Sequence, residues 1–240
     1  MKWNKKFEYP TSTRALINGK RHYDVGTNEK LPSVTTILSA TQSAEKKAKL
    51  AEWQARMGKQ TADRIRDISA LRGTAMHTYL EGYINNTPHL DLTAVGKEAG
   101  RMANIVIESG LGDLEEVWGS EVTLYYPGLY AGQTDVVGVY NGRESIIDFK
   151  QTNKPKQREW IDDYFTQLAA YAMAHNYVYG TQIQQGVILM CSKDGFFQKF
   201  VVSDKEFRDC QHTFLKKIDQ YYANCTKDEN GQDTKNDQKV

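Results

Sequence analysis

Two aspartates on either side of a tight turn constrain this chain more than any other feature of its sequence. Asp135 begins one apolar run, and Asp148 lies inside a second run, Ile146–Phe149. The intervening Asn141-Gly142 is a strong signal for a two-residue hairpin turn. Because side chains alternate along a strand, Asp148 and Lys150 point to one face, and the hairpin places Asp135 on the neighbouring strand. The sequence therefore predicts two carboxylates and a lysine close together on a β-sheet.

Carboxylate oxygens placed this close together favour a hard divalent cation. Mg²⁺ and Mn²⁺ suit such ligands, keep several waters and also bind phosphate oxygens. Taken singly, Asp135 and Asp148 could equally be strand-end groups in surface ion pairs, but a carboxylate inside an apolar run, such as Asp148, needs a partner or a metal. Lys150 could be that partner, or its ammonium could stabilise an attacking hydroxide and the charge that develops on phosphorus. The set suits hydrolysis of a phosphodiester.

The periodicity of the apolar residues changes halfway along the chain. Helical spacing dominates the first half, where Gly73 is a candidate break and Gly110 a candidate stop. The second half has the alternation and turn signals of strands, and it closes with a helix at 204–222. The predicted strands are 117–126, 130–140, 144–151, 186–191 and 196–202, with a helix at 159–179 between the third and the fourth.

Composition and charge exclude several classes of protein. The 240 residues carry a net charge of +1 and three cysteines. The cysteines show no CxxC spacing, so a disulfide framework, a zinc ribbon and an iron–sulfur cluster are not expected. No apolar run reaches the about 18 residues of a membrane span, and the N-terminus lacks the apolar core of a secretion signal. We therefore expect a cytoplasmic protein without a membrane partner.

Several motifs appear in an order that resembles a known group of nucleases. Asp135 followed by Asp148-Phe149-Lys150 resembles the D…(D/E)xK signature of the PD-(D/E)XK nuclease superfamily. The pair Gln167 and Tyr171 resembles the QxxxY element of its RecB-like branch. Upstream, the segment from Gly73 through His77 to Glu81 resembles the Gly…His…Glu helix of that branch.

Two segments nearer the N-terminus narrow the resemblance. Pro32–Leu38 and Trp53–Met57 look like segments of the mitochondrial genome maintenance exonuclease group and its phage and bacterial relatives. The resemblance covers roughly residues 31–180. It rests on five elements in the right order, which chance explains less easily than an isolated D…DxK match.

The resemblance implies an α/β fold of the restriction-endonuclease-like type. A central mixed sheet flanked by helices would carry the site, with a helical N-terminal subdomain beside it. The expected divisions of one compact domain are a β-ribbon extension at 1–30, a helical subdomain carrying His77 at 31–112, the nuclease core at 113–225 and a disordered tail at 226–240. The tail has no large apolar side chain before Val240, which is why we expect disorder there.

The resemblance also implies a role for each site residue. Lys150 would be the catalytic lysine, acting with Asp135 and Asp148, and Gln167 would hold the site geometry or a phosphate. The implied ligands for one or two Mg²⁺ or Mn²⁺ ions are His77, Asp135, Asp148, the backbone carbonyl of Phe149 and, as an accessory ligand or orienting group, Glu121.

Glu81 and Tyr171 are expected in supporting positions around the metal. Gly73, His77 and Glu81 are four residues apart and share one helix face, so Glu81 could orient His77 without touching the ion. The alternative for His77 is a structural role, which is the commoner fate of a lone helical histidine. Tyr171 would contact the substrate or pack against the sheet, and both can be partly true.

Contacts with DNA are expected from the loop after the catalytic strand and from the helix that follows. The candidates are Lys154, Lys156, Arg158, Tyr164 and Tyr171. A basic loop of this kind is usually a solvated charge run. Beside a phosphodiesterase centre, however, it could grip backbone phosphates.

The function that the sequence predicts is metal-dependent hydrolysis of DNA. By resemblance, the leading substrate is single-stranded DNA digested from a free end, in DNA repair, replication or recombination in a bacterial or phage-infected cell. One alternative is a structure-selective endonuclease with the same metal centre, which circular substrates would separate. The other is a DNA-binding module with an inactive nuclease fold, against which the joint presence of Asp135, Asp148 and Lys150 argues.

Overall fold

A six-stranded mixed sheet forms the centre of the molecule in the computed structural model, which describes the backbone of residues 1–236 and the side chains of residues 1–226. Its strands are β1 (Lys2–Trp3), β5 (Leu114–Tyr126), β6 (Tyr130–Tyr140), β7 (Arg143–Thr152), β8 (Gln185–Ser192) and β9 (Phe197–Ser203). Across the sheet they lie in the order β1-β5-β6-β7-β8-β9. A smaller antiparallel sheet, here called the N-terminal ribbon, contains β2 (Thr13–Ile17), β3 (Lys20–Asp24) and β4 (Lys30–Pro32).

Helices cover both faces of the central sheet. They are α1 (Val34–Ala40), α2 (Ala44–Met57), α3 (Lys59–Ile84), α4 (Ala94–Gly110), α5 (Asp162–Tyr179) and α6 (Asp204–Asn236). Side chains of α1, α5 and α6 form one apolar core against the sheet. Side chains of α3 and α4 form a second core, which includes Ile147 and Phe149 of β7. These two layers confirm the expected α/β fold with a restriction-endonuclease-like sheet.

The predicted hairpin between the two aspartates is confirmed. Strands β6 and β7 pair antiparallel, with Val136 opposite Ile147. Asn141 and Gly142 form the turn, with φ angles of 49° and 75°, the left-handed conformations that a two-residue hairpin of this type requires. Strand β7 then pairs in parallel with β8, and helix α5 makes the crossover between them.

A backbone bridge ties the N-terminal ribbon to the main sheet. Residue Ser33, directly after β4, forms a parallel bridge with Ala131 of β6. The Ser33 hydroxyl also accepts a hydrogen bond of 2.9 Å from the amide of Thr36 and so caps α1, as its position before an apolar helix predicts. This junction fixes where the ribbon lies relative to β6.

Three local expectations differ from the structure. Helix α3 continues unbroken through Gly73, because a helical glycine lowers stability without stopping the helix. Strand β1, two residues paired in parallel with β5, carries too short a pattern to be predicted. Helix α6 continues past Tyr222 to Asn236, so residues 226–236 are helical where a disordered tail was expected. Seven of these eleven residues are Thr, Asp, Asn or Gly, which have low helix propensity, so this part of the helix is an extension of the anchored turns before it. Residues 237–240 of that predicted tail lie outside the described residues.

One helical segment extends away from both cores. Helix α2 buries none of its residues. Its first turn is joined to the first turn of α5 by an ion pair of 2.8 Å between Lys46 and Asp163, and Ser69 of α3 accepts a 2.9 Å hydrogen bond from Gln151 at the end of β7. We call residues 44–71 the helical arm. Because α1 packs on one face of the sheet and the second half of α3 on the other, the arm passes from face to face at the carboxyl end of β7.

In the part of the chain that the structure describes, no helix has the length and apolar character needed to cross a membrane.

Candidate metal centre and substrate cavity

Asp135, Asp148 and Lys150 meet on one face of the sheet, as the strand alternation predicts. Both carboxylates are almost fully buried. Asp135 accepts a hydrogen bond of 2.6 Å from the backbone amide of Phe149, which fixes one of its oxygens across the β6–β7 pair. Lys150 is in ion-pair contact with Asp148 Oδ2. One ammonium therefore faces two buried carboxylates, an arrangement suited to a further cation.

His77 and Glu121 complete a cluster of possible ligands around Asp135. The Nδ1 atom of His77 lies 3.3 Å from an Asp135 oxygen and 3.8 Å from a Glu121 oxygen. One ligand atom from each of these three residues lies within 4.8 Å of the others. One imidazole nitrogen and two carboxylate oxygens at this spacing could hold a divalent metal ion. Asp148 lies beside this group on β7, held towards Lys150.

The backbone at Glu121 is in a conformation that non-glycine residues rarely adopt. Its φ angle is 52°, in the left-handed region, although it lies within β5. The side-chain amide of Gln133 donates a 2.9 Å hydrogen bond to the Glu121 carbonyl and helps to hold this conformation. Such outliers concentrate at functional sites, where they direct a side chain. This supports the expected accessory role of Glu121.

A buried arginine anchors the helix that carries His77. Arg72 of α3 is only 2% exposed, and its guanidinium donates to Gln151 at 2.9 Å and also to Asn153. A third contact, 3.4 Å long, joins it to Glu98 of α4. His77 lies on the same helix as Arg72, and Gln151 directly follows Lys150. These bonds therefore fix the position of His77 relative to β7.

The protonation of the cluster follows from burial and from its mixed charges. Burial alone would raise the pKa of Asp135, but His77, Lys150 and the Phe149 amide outweigh burial and lower it. Burial raises the pKa of Asp148 to about 6, partly opposed by Lys150. Burial would lower the pKa of His77, but Asp135 and Glu121 raise it to about 10. The protonated histidine therefore supplies a positive charge between two carboxylates, the place that a cation would take.

Of the predicted supporting residues, Gln167 and Tyr171 line the cavity beside the carboxylates, and Glu81 does not. Gln167 donates a 3.0 Å hydrogen bond to the hydroxyl of Tyr171, and both residues line the same cavity as the carboxylates. Tyr171 packs so closely over Gly132 that a Cβ atom there would come within 2.6 Å of its ring. Glu81 makes no hydrogen bond to His77 among the described residues. Burial and the nearby charge of Glu121 raise the pKa of Glu81. Its orienting role remains a prediction.

The residues predicted to bind DNA are only partly near the cavity. The ring of Tyr164 lies 5.1 Å from the ammonium of Lys150. Arg158, in contrast, is paired with Glu206 of α6 at 2.7 Å, so its charge is already compensated. The backbone of Lys156 is hydrogen-bonded to Gln198 of β9 at 2.8 Å. Lys154 is exposed, and of the three basic residues it lies closest in sequence to β7.

The cavity also contains residues that sequence reasoning did not place there. It has a volume of about 230 Å³, and the further lining residues are Arg14, Arg21, Tyr23, Ser33, Thr35 and Gln133. Arg14 and Arg21 come from the N-terminal ribbon, about a hundred residues before the clustered carboxylates of the central sheet. In the sequence, Asn18-Gly19 between the two arginines indicates a hairpin. It does not indicate that this hairpin lies beside Asp135 and Asp148.

The sheet, the D…DxK hairpin and the sequence relatives support one class of protein, a PD-(D/E)XK-like nuclease. Mitochondrial genome maintenance exonuclease 1 of Mus musculus is 31% identical over 195 residues, which is 74% of this chain and 56% of the relative. The Homo sapiens protein of the same name is 30% identical over 178 residues, or 69% of this chain and 50% of the relative. The chain therefore spans about half the length of the curated relatives it matches. No family model matches it.

Solved structures give a looser likeness. A candidate exonuclease from Eubacterium rectale is 14% identical with a TM-score of 0.45, covering 61% of this chain and 66% of that one. An alkaline exonuclease from Laribacter hongkongensis is 12% identical with a TM-score of 0.34, covering 83% and 93%.

Proposed function

We propose that this chain is a Mg²⁺- or Mn²⁺-dependent deoxyribonuclease. The observation that carries the proposal is the buried pair Asp135 and Asp148, joined by His77 and Glu121 on one side and by Lys150 on the other. A structural ion pair would need one carboxylate and one cation. Three carboxylates converging on a cavity open to solvent instead suit an ion that also binds phosphate oxygens.

The residues divide the chemistry between them. Asp135, Asp148, Glu121 and His77 would hold one or two ions, and His77 must lose its proton to bind, so metal and proton compete there. A bound ion of this kind lowers the pKa of a water and stabilises charge on the leaving oxygen. Lys150, already beside Asp148, is placed to orient the attacking water and to stabilise charge developing on phosphorus. The Phe149 carbonyl remains a proposed further ligand.

The substitution Asp148→Asn tests this assignment. It removes one negative charge with little change of shape, so we expect cleavage of labelled single-stranded DNA with Mg²⁺ to disappear while circular dichroism and DNA binding persist. Asp194→Asn, in an exposed turn, serves as the matched control and should cleave like the wild type. Cleavage by Asp148→Asn at the wild-type rate would show that the metal assignment is wrong.

We further propose that the substrate is a single strand entered from a free end. The arm supports this, because it crosses from one face of the sheet to the other at the carboxyl end of β7, beyond Lys150. A strand threaded between such a segment and the sheet has to be narrow and flexible, which a stiff duplex is not. The segment Glu45–Arg72 also has more lysines and arginines than acidic residues, which favours a polyanion beneath it. Lys154 and Tyr164 would contact the strand near the metal centre, and Lys156 farther out.

Circular and linear substrates separate this proposal from the endonuclease alternative. Linear single-stranded DNA should be digested, while closed circular single strands and blunt duplexes should resist. A circle cut once by another enzyme provides the control, since it has the same sequence and two free ends. Equal digestion of the closed and the opened circle would contradict entry from an end.

The expected cytoplasmic location, and a role in repair, replication or recombination in a bacterial or phage-infected cell, stay predictions. The curated relatives carry a mitochondrial name.

A further inference from the structure

We propose that Arg14 and Arg21 of the N-terminal ribbon form a binding site for the DNA phosphate next to the one that is cleaved. The proposal rests on the proposed nuclease function and names a substrate contact within the same cavity. Both arginines line the cavity that holds His77, Asp135 and Lys150. They approach it from the ribbon, whereas the carboxylates belong to the central sheet.

The pairing of the ribbon strands puts the two arginines side by side. Arg14 lies opposite Tyr23, and Arg21 lies opposite Leu16, in the antiparallel pair of β2 and β3. Directly paired residues share a face of the sheet, so Arg14 and Arg21 are diagonal neighbours on one face, about 7 Å apart. Two guanidinium groups at this spacing can converge on one phosphate group.

The backbone of the ribbon is held in place by hydrogen bonds that do not involve the two guanidinium groups. The carbonyl of Arg21 accepts 3.0 Å hydrogen bonds from the Ser33 amide and from the Thr36 hydroxyl. Ser33 in turn is bridged to Ala131 of the central sheet. The guanidinium of Arg14 lies 5.8 Å from the centre of the Tyr23 ring and donates to the side chain of Gln133. The site is therefore formed before a ligand arrives, which lowers the ordering cost of binding.

The charge of both arginines is left for a ligand. Among the residues whose side chains are described, no carboxylate lies within ion-pair distance of Arg14 or Arg21, whereas Arg66, Arg72, Arg143 and Arg158 each have one. Arg14 uses a donor on the neutral amide of Gln133, and a guanidinium has five donors. These groups recognise phosphate with two parallel hydrogen bonds.

The geometry also indicates which phosphate they bind. The carboxylates of Asp135, Asp148 and Glu121 would draw the scissile phosphate to their metal on the sheet side of the cavity. The arginines approach from the ribbon side and make no ion pair with those carboxylates, so a phosphate beside them belongs to a neighbouring linkage of the same strand. Binding there would hold the strand in register with the metal.

A neutral-linkage experiment tests this site. A series of short single-stranded oligodeoxynucleotides, each with one methylphosphonate linkage at a successive position, would be titrated with the full chain carrying Lys150→Ala in Mg²⁺, a variant that keeps every proposed metal ligand. We expect addition of Arg14→Ala and Arg21→Ala to weaken binding of the unmodified strand about 10- to 100-fold. The slope of its salt dependence should become shallower by about 0.7 for each single-strand phosphate that the protein no longer neutralises.

The position of the phosphate that the arginines bind gives the decisive result. In the parent, a methylphosphonate at one linkage next to the metal-bound phosphate should weaken binding, and in the double arginine variant that penalty should vanish while penalties elsewhere remain. Arg143→Ala is the matched control, because Arg143 is an exposed arginine about 17 Å along β7 from Asp148. Arg21→Lys keeps the positive charge but cannot form bidentate hydrogen bonds to a phosphate. In this variant the methylphosphonate at the same linkage should weaken binding by an intermediate amount.

The outcomes separate this proposal from the one it rests on. Methylphosphonate profiles that are identical in the parent and in both arginine variants would overturn the arginine site while leaving the nuclease intact. Absence of DNA cleavage by the wild-type chain would instead overturn the proposed function.

Discussion

Lys150 is the residue at which a structural and a catalytic role are easiest to confuse. It contacts Asp148 directly, and both neighbouring aspartates favour its charged form. Burial would lower its pKa, but the charges of Asp148 and Asp135 raise it above the ordinary value. It is therefore a fixed cation whether or not it takes part in the reaction.

The substitution Lys150→Ala separates the two roles. Removal of a transition-state interaction of roughly 3–4 kcal/mol slows cleavage by about 10²–10³-fold. Mg²⁺ or Mn²⁺ binding, measured by calorimetry, should persist because the metal ligands remain. If metal binding and cleavage disappeared together, Lys150 would be the ion-pair partner that holds Asp148 in place.

A second buried group governs stability at acidic pH. His175 is fully buried, bonded to the Tyr9 hydroxyl at 3.1 Å and to the Thr181 hydroxyl at 2.7 Å. Burial, with a smaller effect of Lys6, lowers its pKa from 6.5 to about 4. Between these values the unfolded chain takes up a proton that the native protein excludes. The free energy of unfolding should therefore fall by up to about 3 kcal/mol as the pH drops from 6.5 to 4.

Urea unfolding at about pH 7 and at about pH 4.5, on either side of most of this titration, measures the effect. His175→Gln should be less stable than the wild type at neutral pH but should lose less stability on acidification. His212→Gln, at an exposed position of α6, should retain the full pH dependence. An equal decrease in all three proteins would assign the effect to other groups.

Individual site residues were predictable where a strand pattern or a motif fixed them. Asp148 and Lys150 follow from period-2 alternation, and the hairpin turn brings Asp135 beside them. The close approach of Glu121 to His77 could not be derived from spacing, because it depends on a left-handed backbone at Glu121 that no local sequence signal specifies. Arg72 was equally hidden, since an arginine on a helix is usually exposed.

At the scale of elements, helix α3 depends on the contacts of Arg72 with the end of β7 and with α4. The substitution Arg72→Met removes these bonds and leaves Glu98 and Gln151 without their partner. We expect the free energy of unfolding to fall by about 3 kcal/mol, the lower end for a broken buried pair because the side chain of Glu98 is 22% exposed. Metal affinity should fall as well, since His77 is no longer fixed relative to β7.

The control for this variant lies on the same helix. Arg66→Met removes an arginine whose side chain is 64% exposed and whose ion pairs are on the surface, so it should cost little. Both changes are measured by urea denaturation and by calorimetry with Mn²⁺. Similar stability and metal affinity in the two variants would mean that α3 is positioned by its apolar contacts alone.

Elements with strong periodicity were predicted to within a few residues, and those without it were not. Strands β6 to β9 are apolar or alternating runs that lie between turn signals, so their bounds could be read from the sequence. Strand β4 was missed because a three-residue strand ending in Pro32 has almost no pattern. The extension of α6 has no signal in the sequence, because residues 226–236 have neither an apolar stripe nor high helix propensity and continue a helix that has already formed.

At the scale of the whole molecule, the arrangement of the two cores follows from the order of the elements, but the path of the arm does not. A sheet with helices before, between and after its strands must be covered on both faces. The sequence does not show where α2 lies, because its apolar residues Leu50 and Met57 remain exposed and so do not indicate a packing partner. Its course is defined by the Lys46–Asp163 pair and by the bond between Ser69 and the end of β7.

The two attachments of the arm have a kinetic consequence. In the proposed complex, a DNA strand that passes between the arm and the sheet would have no sideways exit and would leave only by sliding along its own axis. Its residence time would then grow with its length, since more nucleotides must pass before the end is reached. Hydrolysis would be processive, with many nucleotides released in each encounter, without any need for tight binding at a single nucleotide.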